Sequence, residues 1–307
     1  MRLTVTGDRS TMAFGVISEI GYISLHTSDI EASTAHATDI LGLTETGRSG
    51  NAVYMSSAAK KHHELIYIDA PTHGVGQIGL VAAGRSGLDL ARQRIRDAGY
   101  PVVSESPLHA GVEDGFAFIG PEGFIFEIYI GPQNADMVTS GHAPDRFGHV
   151  NLHPQHLKAM LDFFVDTLDF RISDVIGDDF AYFLRCNAEH HGIALIKGKG
   201  WLHHHAWQVQ SIAELGKVGD RLHERGLRLL MGPVRHGAGH NMAAYYVEPT
   251  GAVVELYADL EHIYDDERPP IVWPRDNLAW ATKWSIYDFT EFRSHGLFPA
   301  TEAVTAK

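Results

Sequence analysis

Short apolar, β-prone runs recur along the chain, and amphipathic stretches with helical spacing fall between them. Residues Ile20–Leu25 read as a strand. Asp29–Leu41 reads as a helix opened by Ser28 or Asp29 as its cap. Val53–Ser56 and Leu65–Ile68 read as strands again. The pattern restarts with a strand at Ile78–Ala82, a helix at Gly87–Ala98 stopped by Gly99, and strands at Phe116–Ile119 and Phe124–Ile130. A third round gives Val150–Leu152, a helix from Gln155 to Leu168, Ala181–Arg185 and Gly192–Ile196. A fourth gives Ala206–Val209, a helix over 212–225 stopped by Gly226, Ala243–Val247 and Val253–Tyr257. The expected architecture is α+β, with a βαβββ module used four times.

The modules pair into two larger copies. Gly21-Tyr22-Ile-Ser-Leu-His26 matches Gly148-His149-Val-Asn-Leu-His153 at an offset of 127. Pro121-Glu-Gly-Phe-Ile-Phe-Glu127-Ile-Tyr129 matches Pro249-Thr-Gly-Ala-Val-Val-Glu255-Leu-Tyr257 at an offset of 128. Such a constant offset predicts two tandem domains of one fold, at 17–131 and 148–262, joined by a linker at 132–147. The segment 263–307 carries Trp273, Trp280, Trp284, Tyr287 and Phe289 and is too apolar to float free. It is expected to fold back as a lid or an interface.

A net charge of −13 argues against nucleic acid and anionic membranes as partners. No apolar run is long enough to span a bilayer, and the first residues lack a signal-peptide core. The single cysteine, Cys186, excludes an internal disulfide and suits a reducing cytoplasm.

Candidate chemistry comes from carboxylates and histidines placed on strands. Glu255 lies within Ala-Val-Val-Glu-Leu-Tyr, a strand-like run in which an unpaired carboxylate is costly to bury. It needs a cation. His149 lies on the third module's first strand, and His204 stands at the start of the fourth module's first strand. Two imidazoles and one carboxylate form the facial triad of non-haem iron sites, with coordination positions left open. The repeat supplies an internal control, because the matching positions in the first copy are Tyr22, Gln77 and Glu127. One metal-binding copy and one copy without metal are expected. Tyr22 or Gln77 is then available to hydrogen-bond Glu127.

The segment from Gly232-Pro-Val-Arg-His236 through Tyr245, Glu248-Pro249-Thr-Gly251 and Glu255 resembles the signature of the type I extradiol ring-cleavage dioxygenases of the vicinal oxygen chelate superfamily. His204-His205-Ala-Trp207, Phe147-Gly-His149-Val and His191-Gly-Ile-Ala-Leu195 resemble other motifs of that family. One departure is Ala244, where the family has a larger aliphatic residue. The resemblance implies Fe(II), with Mn(II) as its competitor, on His149, His204 and Glu255. It implies O₂ as co-substrate, a catechol as substrate and a homo-oligomer. It assigns acid/base work to His191, in preference to the adjacent His190, and substrate or oxygen contacts to His236 and Tyr245.

Family members that take carboxymethyl-substituted catechols carry an arginine where this chain has Met231, so an apolar-substituted catechol is expected. His203 and His205 are expected on the face opposite His204, His240 at the pocket mouth, and His62-His63 exposed. A glyoxalase-like lyase of the same fold would have a metal triad without the His191, His236 and Tyr245 trio. A non-catalytic binding protein of this fold would lack the triad.

Overall fold

The computed structural model describes residues 15–284 and 287–300. Four βαβββ modules are present. The first comprises β1 (Ile17–Thr27), α1 (Ile30–His36), β2 (Thr44–Ser49), β3 (Ala52–Ser56) and β4 (Leu65–Asp69). The second comprises β5 (Gly74–Ala82), α2 (Gly84–Asp97), β6 (Val102–Ser104), β7 (Asp114–Ile119) and β8 (Ile125–Ile130). The third comprises β9 (Arg146–His153), α3 (Leu157–Asp162), β10 (Arg171–Ile176), β11 (Ala181–Arg185) and β12 (Ile193–Ile196). The fourth comprises β13 (Trp201–Gln208), α4 (Ile212–Glu224), β14 (Met231–Arg235), β15 (Met242–Val247) and β16 (Val253–Ala258). A short strand, β17 (Ile271–Trp273), follows.

Modules one and two share one eight-stranded sheet, in the order β2-β3-β4-β1-β5-β8-β7-β6. Modules three and four share a nine-stranded sheet, in the order β14-β15-β16-β13-β9-β12-β11-β10-β17. Within each sheet the two modules join through their first strands, β1 with β5 and β9 with β13, both antiparallel.

The strand that follows each helix, namely β2, β6, β10 and β14, has no counterpart among the sequence-derived segments. β2, Thr-Glu-Thr-Gly-Arg-Ser, is a polar sheet edge with no fully buried residue, so it carries no apolar signal. The helix expected at Asp29–Leu41 is α1 continued by a π-helical turn over Ala37–Leu41, which ends at Gly42 with φ 83°. Asp29 is the cap, accepting from the Ala32 amide at 2.9 Å. The helix expected from Gln155 to Leu168 likewise starts at Leu157 and turns π-helical over Phe163–Thr167.

One face of each sheet packs on helices. Leu88, Ala91 and Ile95 of α2, Leu215, Val218 and Leu222 of α4, and Phe163 and Phe164 after α3 belong to one continuous buried cluster. Phe163 also ties the two sheets together, with its ring 5.1 Å from that of Phe126 and 5.2 Å from that of Tyr100. The strands of each sheet are therefore backed by apolar core on that face.

Candidate metal centre

Sheet register builds the centre. His149 on β9 lies opposite Ala206 on β13, Ala206 lies beside Glu255 on β16, and Glu255 lies opposite Tyr245 on β15. Residues in one such row project to one face, as do residues two apart on a strand, so His204 joins them from β13. His204 therefore sits mid-strand rather than at the strand's start, because β13 begins at Trp201. The methyl group of Ala206 leaves room between the two histidines and the carboxylate.

His149 Nε2 is 3.1 Å and His204 Nε2 3.0 Å from Glu255 Oε2. All three residues are buried, and together they are the one group of metal-capable donors found among the described residues. Donors bound at right angles to one ion, with bonds of about 2.1 Å, stand about 3 Å apart. The three side chains fit a cation at that spacing, and the N₂O donor set suits Fe(II) or Mn(II). Burial alone would raise the Glu255 carboxyl, but the neighbouring His149 and His204 imidazoles outweigh it and hold the group well below its ordinary range. Burial pushes the His204 imidazole down against the pull of Glu255, which favours the neutral form that ligation requires.

The remaining candidates surround this triad. The His191 ring lies 4.4 Å from that of His149, and burial, then His149, hold its imidazole well below the usual value. His236 Nδ1 contacts the Ala281 carbonyl at 2.5 Å, and its Nε2 is 2.7 Å from the Tyr245 hydroxyl. The carbonyl has no proton to give, so Nδ1 carries the hydrogen and Nε2 accepts from Tyr245. Burial, then Glu255, push the Tyr245 phenol well above its usual value, so it stays a donor. One residue that sequence reasoning missed is Asn241, whose Nδ2 donates to Glu255 Oε1 at 3.1 Å and fixes the carboxylate's second oxygen. An asparagine in a glycine-rich loop gives no sequence signal for that role.

The triad lies in a cavity of about 300 Å³. Phe180, Phe183, Ile196, Met231, Trp280 and Phe292 form much of its wall, with Asn151, His153, His203 and Arg293 as polar points. The segment after residue 262 supplies part of this wall through Trp280, Ala281, Phe289 and Phe292. It also crosses to the first sheet, where the Val75 amide donates to Phe298 O at 2.9 Å and the Ala300 amide to Val75 O at 2.8 Å. Trp284 stays exposed, and 285–286 and 301–307 lie outside the described residues.

Three expectations about histidines need correction. A register shift in β13 between Leu202 and His204 turns His203 to the same side as His204, and the two Nδ1 atoms lie 2.8 Å apart. His205 alone faces away, accepting from Trp207 Nε1 at 2.9 Å. His240 is exposed with φ 59° and lines a separate surface hollow with Arg235 and Asp259 rather than the cavity mouth. His62 is half-buried and His63 buried, because they sit in the first copy's equivalent of the centre.

That equivalent is filled by side chains. Tyr22, Gly79 and Glu127 occupy the row held by His149, Ala206 and Glu255. The Tyr22 ring lies over Gly79, where a Cβ would stand 2.1 Å from it, and its hydroxyl donates to Glu127. Leu108 donates its amide to the other carboxylate oxygen at 2.8 Å. Gln77 bonds Ser24 instead, at 2.6 Å. Glu127 is thus satisfied without a cation.

Residues 146–256 match the family model described as Glyoxalase/Bleomycin resistance protein/Dioxygenase superfamily. The chain is 30% identical over 261 residues to biphenyl-2,3-diol 1,2-dioxygenase of Paraburkholderia xenovorans, covering 78% of this chain and 87% of that one. It is 24% identical over 286 residues to a metapyrocatechase of a Pseudomonas species, covering 85% of this chain and 92% of that relative. Among solved structures, a Mn(II)-bound glyoxalase from Novosphingobium aromaticivorans superposes with a TM-score of 0.85 at 30% identity, covering 95% of this chain and all of the other. The chain belongs to this superfamily of paired βαβββ modules. Within it the chain is one of the extradiol catechol dioxygenases, an oxidoreductase.

Proposed function

We propose that this enzyme performs extradiol cleavage of a catechol bearing an apolar substituent, with O₂ as co-substrate and Fe(II) or Mn(II) held by His149, His204 and Glu255. The observation that carries the reading is the placement of the His₂Glu cluster in a largely apolar cavity beside three further proton-handling side chains. When bound, such an ion would supply Lewis acidity that lowers the proton affinity of the catechol oxygens and a centre for O₂ chemistry.

The protein's own groups manage protons and position. His191, kept neutral by burial, accepts a proton from a catechol hydroxyl and returns it later in the reaction. Tyr245 turns its single hydroxyl hydrogen from His236 Nε2 to a substrate oxygen when substrate binds, and His236, held by Ala281, keeps the phenol beside it. Phe180, Ile196, Trp280 and Phe292 exclude water and receive the ring substituent. Met231, buried opposite Tyr245, keeps that wall apolar.

The test is anaerobic loading with Fe(II) or Mn(II), then exposure to O₂ with a panel of catechols while O₂ uptake and the visible spectrum are recorded. Stoichiometric uptake with a yellow ring-opened product, lost in His204→Ala, is expected. Metal binding with no uptake on any catechol would overturn the reading and favour glyoxalase-type chemistry, the activity named for the Novosphingobium relative.

A further inference from the structure

His191 does not stand alone. Its Nδ1 lies 3.0 Å from Nδ1 of His190, and the two rings are perpendicular with centroids 5.2 Å apart. Both are buried. Two facing ring nitrogens can share only one proton, so one donates and the other accepts. Which one donates is decided behind them. His190 Nε2 lies 3.1 Å from Asp174 Oδ1, although the pair is not aligned as a good hydrogen bond, and neither atom has another hydrogen-bond partner among the described residues. The other carboxylate oxygen of Asp174 accepts from Trp273 Nε1 at 2.6 Å. Arg268 approaches Asp174 at 3.6 Å while holding Glu261 at 2.9 Å, and Glu261 stands 3.9 Å from His190.

A carboxylate only accepts, so a His190 ring that carries a single proton holds it on Nε2, facing Asp174. Its bare Nδ1 must then accept from Nδ1–H of His191. That leaves His191 with an unprotonated Nε2, the form that takes a proton from substrate. We infer that Asp174 and His190 are positioning residues that fix the tautomer and orientation of His191 as a base. The inference rests on the acid/base role proposed above for His191.

The first copy provides the control. His62 and His63 form the same pair, with Nδ1 atoms 2.9 Å apart and ring centroids separated by 5.2 Å. The carboxylate is missing there. Asp174 sits on β10 opposite Phe183, one residue past a register shift, and the matching position on β2 is Gly47, opposite Tyr54. The histidine pair thus packs in either copy, whereas the acid occurs only in the copy with the metal-capable triad.

The experiment uses protein labelled with ¹⁵N-histidine, loaded with diamagnetic Zn(II), and long-range ¹H–¹⁵N correlation of the His191 ring. Wild type is expected to show His191 protonated on Nδ1. In Asp174→Asn, Trp273 claims the amide oxygen and the NH₂ faces His190. His190 then turns over its proton and His191 becomes the Nε2–H form. With the catalytic metal, kcat falls by roughly 10- to 100-fold while KM changes little. Adding Trp273→Phe to Asp174→Asn frees the amide oxygen to face His190, which restores the native tautomer and part of kcat. A wild-type His191 protonated on Nε2, or an Asp174→Asn spectrum with His191 unchanged, overturns the relay. The tautomer readout stands apart from turnover. The expected spectra in a protein that opens no catechol would defeat the functional reading and leave the relay intact.

Discussion

Gly148 immediately precedes a proposed metal ligand, and its repeat partner Gly21 precedes Tyr22. A Cβ on Gly148 would stand 2.0 Å from Tyr257 Oη, 2.6 Å from Cε1 and 2.7 Å from Cζ. A Cβ on Gly21 would stand 2.0 Å from Tyr129 Oη and 2.8 Å from Cζ. Both tyrosines are buried, so neither ring can swing into solvent. Neither glycine has a left-handed φ, and the cost of alanine is therefore steric. Overpacking of this kind costs about 1–3 kcal/mol. Gly148→Ala and Gly21→Ala should each lose roughly 2 kcal/mol of stability in urea unfolding of the metal-free protein.

Their effects on metal should differ. The Tyr257 ring lies 5.0 Å from that of His149, so displacing it displaces the ligand. Gly148→Ala should weaken Mn(II) binding by 10- to 100-fold, roughly the loss typical of disturbed outer-sphere support. Gly21→Ala should bind Mn(II) as wild type does. Adding Tyr257→Phe to Gly148→Ala removes the oxygen at 2.0 Å but leaves carbon at 2.6 Å, so rescue should be partial. Calorimetric titration with Mn(II) reads the affinity. Wild-type affinity in Gly148→Ala, or an equal loss in Gly21→Ala, would refute the argument.

Four further outcomes are expected. Tyr245→Phe leaves His236 Nε2 without its donor, and should cost about 1 kcal/mol of stability and about tenfold in kcat with metal content unchanged; turnover at the wild-type rate would count against the assigned role. Chelation should lower the melting temperature in proportion to the lost linkage, about 4 kcal/mol at a metal concentration 1,000-fold above Kd, while Glu255→Gln should show no metal-dependent shift. Burial raises the Glu248 carboxyl, but His205, then Thr250 and Tyr67, pull it below its ordinary 4.5. A depressed acid stabilises above its unfolded pKa and loses that contribution as pH falls, so the stability gap between wild type and Glu248→Gln should hold near neutrality and close below about pH 4.5; a gap that widens in acid would reverse the assignment. Finally, Tyr22→His with Gln77→His beside Glu127 places three donors at the ladder positions of the second copy, and a second equivalent of bound Mn(II) is expected by elemental analysis.

Much of this was legible in the chain itself, because repeats and facial triads are statements about strand position. His149, His204 and Glu255 project to one face once their strands are paired, and the offset of the two copies already sets them against Tyr22, Gln77 and Glu127. What stayed hidden depends on departures from regular pairing. The shift between Leu202 and His204 reverses the face of His203, and no residue type announces it. The polar edge strand β2 buries nothing fully, so periodicity passes over it. His62 and His63 read as surface residues because the tyrosines that enclose them, Tyr22 and Tyr54, come from other strands. Asp174 and Asn241 reach the centre through tertiary contacts alone.

The wall formed by Trp280, Ala281, Phe289 and Phe292 has a consequence for assembly during synthesis. Every proposed ligand lies between residues 149 and 255, so the ribosome delivers all three before it delivers the wall. Domains fold as they emerge, and the triad can therefore form while its cavity is still open to metal ions in the surrounding solution. The later segment then seals the chamber, donating and accepting at Leu202 and joining Val75 of the other sheet, as a door hung after the room is furnished.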